Sequence, residues 1–126
     1  MPSKRSIPFA SIQDINKETS GRDVILFGSG IIAEKTSRIL TRSKITAIMD
    51  NASNLWGQVQ LGVEIGSPEY LTTPKGKKAL IIICTTSFVE VSEQLEQMGF
   101  KREKDYFVSP VINDLRIIDE LETISK

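Results

Sequence analysis

Apolar positions fall into short unbroken runs separated by segments with helical spacing, the pattern of strands buried on both faces alternating with amphipathic helices. Val24 to Phe27, Ile45 to Met49 and Ala79 to Cys84 are the clearest runs. The last holds three consecutive isoleucines and predicts a central strand. Leu61 to Gly66 contains a short alternating strand, and Tyr106 to Val108 gives a final short one. Between them, Ile31, Ile32, Ile39 and Leu40 form the inner face of a helix over 31–42, with Glu34, Lys35 and Arg38 on its wet side. Val89, Val91, Leu95 and Met98 do the same for a helix that Ser87 or Thr86 caps and Gly99 stops. Phe9, Ile12 and Ile15 suggest a leading helix over 9–17, so residues 1–20 are read as a leading helical segment before a domain over 21–126. Ser67 with Pro68 predicts a one- or two-turn helix, Pro74 to Lys78 a turn, and 111–124 a last helix.

Strands alternating with helices require right-handed crossovers and a parallel sheet. The expected fold is therefore α/β, three layers around a parallel sheet of about five strands, ordered 3-2-1-4-5.

One turn in this pattern carries chemistry. The run Val24-Ile25-Leu26-Phe27 stops at Gly28-Ser29-Gly30, and the next helix opens inside the turn, with Ala33 in its first turn. Gly28 allows a sharp reversal, Gly30 allows backbone to approach a ligand, and Ala33 lets the helix sit close to the strand. Free amides at the helix start, including those of Ile31 and Ile32, favour an anion. Asp50, 22 residues beyond Gly28, ends the second apolar run, where an acid accepts hydrogen bonds from ribose hydroxyls. Strand, glycine turn, helix and acid together describe a Rossmann-type βαβ unit.

A ligand in such a sheet lies where strand order reverses, beyond the carboxyl ends of the strands. Three segments converge there: Gly28 to Ile32, Asp50 with Asn51, and Cys84-Thr85-Thr86-Ser87-Phe88, of which Thr85, Thr86 and Ser87 carry hydroxyls. The three hydroxyls suit phosphate, ribose or sugar, or else one caps the following helix. Asp50 serves either as a ligand acceptor or as a turn-former before Asn51. Trp56 either stacks on a base or covers the sheet edge. Cys84 ends an apolar strand and reads as a buried structural thiol. Tyr70 and Tyr106 have no lysine at the spacing of a short-chain dehydrogenase, and Lys75, Lys77 and Lys78 read as a solvated turn.

Composition narrows the chemistry. The 126 residues suit one domain, and 16 basic against 16 acidic residues give no net charge, unlike a nucleic-acid binder. There is no histidine, which removes the commonest general base and metal ligand, so no metal is expected and no catalytic residue is assigned. A single cysteine forms no intrachain disulfide and fits a cytoplasmic location. No apolar stretch reaches membrane-spanning length, so no membrane insertion is expected. The apolar stripe Val111, Ile112, Leu115, Ile118 and Leu121 packs on the sheet or forms a homodimer or partner-domain contact.

The order Val-Ile-Leu-Phe-Gly-Ser-Gly, Ile-Met-Asp-Asn (48–51), Leu-Trp-Gly (55–57), Gly-Val-Glu-Ile-Gly-Ser-Pro-Glu-Tyr-Leu (62–71) and Ile-Ile-Ile-Cys-Thr-Thr-Ser (81–87) resembles known domains. It is similar to the small Rossmann-like domains of bacterial surface-polysaccharide biosynthesis, including the nucleotide-sugar-binding domain at the front of bacterial sugar acyltransferases. The resemblance spans about residues 22–109 and implies a domain that holds a nucleotide or UDP-sugar-like ligand beside a transferase, epimerase or methyltransferase. It also implies ligand contact by Gly28, Ser29 and Gly30, a base or ribose facing Asp50, and a wall formed by Thr85 to Ser87. No hexapeptide repeats of a left-handed β-helix follow, and the acyltransferases' catalytic histidine is missing. The expectation is thus a binding module without complete catalytic machinery. The alternatives are an NAD(H)- or S-adenosylmethionine-dependent enzyme or subunit, and a structural docking element with a vestigial turn.

Overall fold

The computed structural model describes residues 11–41 and 43–112. Its elements are α1 (Ile12–Thr19), β1 (Asp23–Phe27), α2 (Ile31–Ile39), β2 (Lys44–Met49), β3 (Val59–Gln60), β4 (Val63–Gly66), α3 (Pro74–Lys78), β5 (Leu80–Ile83), α4 (Phe88–Gln97) and β6 (Tyr106–Val108), with single 3-10 turns at Ser53–Leu55 and Pro68–Thr72. The six strands are ordered β3-β4-β2-β1-β5-β6. All pairings are parallel except β3 with β4. The five parallel strands stand in the expected 3-2-1-4-5 order, and the sixth is an antiparallel addition at the edge.

The two innermost strands show why the apolar runs are unbroken. Val24 to Phe27 and Leu80 to Ile83 are buried at every position, because helices cover both faces. Val24 to Phe27 pair one for one with Leu80 to Ile83, while the register of β1 against β2 slips between Val24 and Ile25. Ile15 and Leu95 seal the core from α1 and α4 with no exposed surface.

Caps decide the element ends. Ser11 accepts from the Asp14 amide at 3.0 Å and caps α1, which runs past Lys17 to Thr19; the expected start at Phe9 lies outside the described residues. Ser67 accepts from the Glu69 amide at 3.1 Å, as Ser-Pro-Glu suggests. Pro74 to Lys78 is a short helix rather than a turn: Thr73 caps it by accepting from the Gly76 amide at 3.1 Å, and proline holds its first position. Gly99, at φ +96°, ends the helix that precedes it. Met98 lies at that end and is exposed instead of turning inward; buried Ser92 takes a core place, its hydroxyl 2.6 Å from that of Tyr106.

The added strand depends on an unusual turn. Leu61 and Gly62 both have positive φ, +55° and +74°, the backbone of a tight two-residue hairpin. Leucine in this left-handed region is strained. β4 pairs with β2 only at Ile65 and Gly66; its first half, Val63 and Glu64, pairs with β3. The expected helix over 111–124 is described only as a turn up to Ile112, so the rest of its apolar stripe and the proposed dimer contact lie outside the described residues.

Candidate functional site at the strand reversal

The site begins where β1 meets β5 at the point of strand reversal. The Phe27 carbonyl accepts from the Cys84 amide at 2.7 Å, and the Gly28 amide donates to the Met49 carbonyl at 2.7 Å. Gly28 has φ +114°, and a Cβ there would stand 2.7 Å from the Cys84 carbonyl oxygen and 3.2 Å from Thr85 Cβ. Glycine is therefore required twice, by conformation and by contact. Gly30 has φ +94°, but a Cβ would meet nothing within 4 Å. Its requirement is conformational, and the space above it is open. Ala33, fully buried, lets α2 lie on the sheet.

Asp50 reaches back onto this turn. Its Oδ2 accepts from the Ser29 amide at 3.1 Å and the Ser29 hydroxyl at 2.9 Å, while Oδ1 accepts from the Ala52 amide at 2.9 Å. The last contact is the turn-former role; the first two tie β2 to the glycine turn. The two roles coexist in one carboxylate. A carboxylate offers about four acceptor directions, so these three bonds leave one, on Oδ1, among the described residues. Trp56 is held to the same loop, its indole N–H donating to the Asp50 carbonyl at 2.7 Å with the ring partly exposed.

On the opposite wall, Thr85 Oγ1 accepts from the Ser87 amide at 3.2 Å. Ser87 occupies the cap position of α4, yet its hydroxyl makes no capping bond, contrary to the expectation that it or Thr86 would. Thr85 supplies the local side-chain acceptor instead. A cleft of about 230 Å³ lies between these walls, lined by Gly28, Asp50, Asn51, Ala52, Thr85 and Ser87, with Phe27 and Val91 as its apolar floor. All three predicted segments meet there. Ser29 and Gly30 stand beside it on the glycine turn. Thr86 is exposed and does not line it, Ile31 is 57% exposed at the start of α2, and the Ile32 side chain belongs to the core.

Two amide pairs escaped the sequence reading. Asn51 and Gln94 bond reciprocally at 2.9 and 3.1 Å, joining the loop after β2 to α4 at the rim of the cleft. Gln60 pairs with Gly30: the Gly30 N–H donates to Gln60 Oε1 at 3.0 Å, and Gln60 Nε2 donates to the Gly30 carbonyl at 2.7 Å. Both depend on side chains distant in sequence, and neither has a spacing that marks it.

Other reactive groups are locked into the fold. The Cys84 thiol is buried, and loss of hydration pushes it up to about 12, against the opposing bond from Thr36. The Tyr106 hydroxyl donates to Glu96, whose carboxyl is held below its ordinary range by that bond first and by Arg102 at 3.2 Å as well. Burial and the Glu96 carboxylate raise the Tyr106 phenol. Among the described residues no group of three or more His, Cys, Asp or Glu could hold a metal ion, and no helix is long and apolar enough to cross a membrane.

A parallel sheet ordered in this way, with a glycine turn opening a helix at the reversal and an acid ending the next strand, defines a Rossmann-like domain. The chain belongs to the C2185-like, N-terminal family, which it matches over residues 20–105. Among solved structures it is similar to UDP-D-quinovosamine 4-dehydrogenase from Vibrio fischeri, at 17% identity and a TM-score of 0.53 over 69% of this chain and 75% of that one. It is also similar to RSP, a Rex-family repressor, at 17% identity and a TM-score of 0.52, over 88% of this chain and 63% of that one. The same repressor in complex with β-NADH gives 18% identity and 0.52, over 89% and 68%. At such identities the likeness is one of fold. No curated protein matches the sequence.

Proposed function

We propose that this domain binds a nucleotide or nucleotide-sugar and serves bacterial surface-polysaccharide biosynthesis as a binding module, without complete catalytic machinery of its own. The observation that carries the reading is the cleft at the strand reversal with Asp50 on its wall and one carboxylate direction unused. A ribose hydroxyl is a suitable donor for that direction. The cleft is sized for a nucleoside, not for a whole dinucleotide, so phosphates would run out along the Gly28, Ser29 and Gly30 turn toward the Ile31 and Ile32 amides. Asn51 sits beside the base or ribose, and Thr85 and Ser87 form the far side. The sugar-biosynthesis setting is supported by the motif resemblance and by the fold shared with a UDP-sugar dehydrogenase.

NAD(H) is the second reading. Asp50 suits the ribose of NAD(H) as well as that of UDP, and one of the similar folds is a complex with β-NADH. Calorimetric titration with UDP, a UDP-sugar, CDP, NADH and S-adenosylmethionine separates the readings. Heat from a UDP compound supports the first, heat from NADH alone the second, and no heat from any of them overturns both.

A further inference from the structure

We propose that Gln60 is a displaceable latch on this site: in the free protein its carboxamide occupies the Gly30 peptide, and a phosphate-bearing ligand binds by driving it off. The inference rests on the nucleotide reading above and adds the step that opens the site.

Gln60 is the second residue of a two-residue edge strand, 30 positions from Gly30 in sequence, yet it engages both the N–H and the C=O of that peptide. Its Oε1 puts a partial negative charge on the N–H of the residue that caps α2, where a phosphate oxygen would compete for the same donor. The contact is exposed, and the open space around Gly30 gives the carboxamide room to leave. The tip of the hairpin that delivers it is exposed. Only Ile65 and Gly66 of β4 pair with the main sheet, the connecting turn holds Leu61 in a strained left-handed conformation, and Val59 and Leu61 are 70% and 42% exposed on either side of Gln60. Ile65 anchors the base of the hairpin in the core and by backbone bonds to Gly57 and Gln58, whereas the tip that carries Gln60 is exposed and holds the strained Leu61. The neighbouring Ser29 amide is held differently, by a charged carboxylate on the main sheet, so the latch is the more easily displaced of the two covers.

The test titrates UDP and NADH into the wild type, Gln60→Ala and Gln60→Asn, the last being polar but one methylene too short to span the Gly30 peptide. With about 1 kcal/mol of hydrogen bonding no longer lost on opening, both variants should bind about fivefold more tightly. NMR of the free protein supplies a reading that needs no ligand: in Gln60→Ala the Gly30 amide should shift and exchange faster with solvent. Unchanged or weaker nucleotide binding by both variants overturns the latch while leaving the nucleotide reading intact. An undisturbed Gly30 amide overturns it whether or not nucleotide binds. Absence of binding by all three proteins removes the nucleotide reading and the latch with it.

Discussion

Asp50 holds Ser29 at two points, the backbone amide at 3.1 Å and the hydroxyl at 2.9 Å, so the end of one strand fixes the turn that ends its neighbour. Replacing Asp50 by Ala strips acceptors from the Ser29 and Ala52 amides together. Leaving partly buried donors unmet costs about 1–3 kcal/mol. Asp50→Ala should therefore lower the urea midpoint and weaken nucleotide binding together. The carboxylate also sets a preference: a phosphate on the ribose would approach a fixed negative charge. Binding of NADPH should be at least about tenfold weaker than binding of NADH, measured by fluorescence titration.

The two glycines of the turn should respond unequally to alanine. Gly28→Ala brings a Cβ to within 2.7 Å of the Cys84 carbonyl as well as forcing an unfavourable φ, whereas Gly30→Ala meets only the second problem. Expected losses are about 3 kcal/mol or more for Gly28→Ala and about 1 kcal/mol for Gly30→Ala, read from denaturant unfolding. Equal losses would show that the β1 and β5 ends separate freely.

Acid sensitivity should carry the mark of Glu96. Its carboxyl is held low in the folded protein, by Tyr106 first, so the unfolded chain takes up a proton at higher pH than the native one. That stabilisation is fully present above the ordinary carboxylate range and is lost as pH falls through the depressed native value. Tyr106→Phe should flatten the decline in melting temperature below about pH 4.3. It should also lower stability at neutral pH, because the buried Ser92 hydroxyl, 2.6 Å from the phenol oxygen, loses its partner.

Cys84 should resist thiol reagents. With the thiol buried and pushed up to about 12, thiolate is scarce at pH 8, and labelling should wait on unfolding. Reaction with Ellman's reagent is expected to be fast in denaturant and slow in buffer. Linkage gives the opposite sign to Glu96: the contribution is present below the ordinary thiol value and fades as pH climbs toward 12.

The parallel sheet was legible because its central strands are buried on both faces, which writes Val24 to Phe27 and Leu80 to Ile83 as continuous apolar runs. Sequence spacing also anticipated that Asp50 would meet the glycine turn with Thr85 and Ser87 across from it, since the βαβ unit fixes where each strand ends. The hairpin was not legible. Two residues are too few for a period, and Leu61 sits where glycine or asparagine would have announced the turn. The α3 helix could have been found, for Thr-Pro is a start signal, but three lysines and a glycine argued for a turn. Gln60 and Gln94 had no such signal at all. Neutral amides pair wherever the fold carries them.

The cleft thus has two kinds of boundary. Where Gly28 lines it, the wall is main chain packed against the Cys84 carbonyl behind it, with no side chain to shorten or lengthen. At Asn51 and Gln94 it is two side-chain carboxamides, each with N–H donors and a carbonyl acceptor. Single substitutions at the rim would change the donors and acceptors that face the cleft while leaving the main-chain contact behind Gly28 as it is.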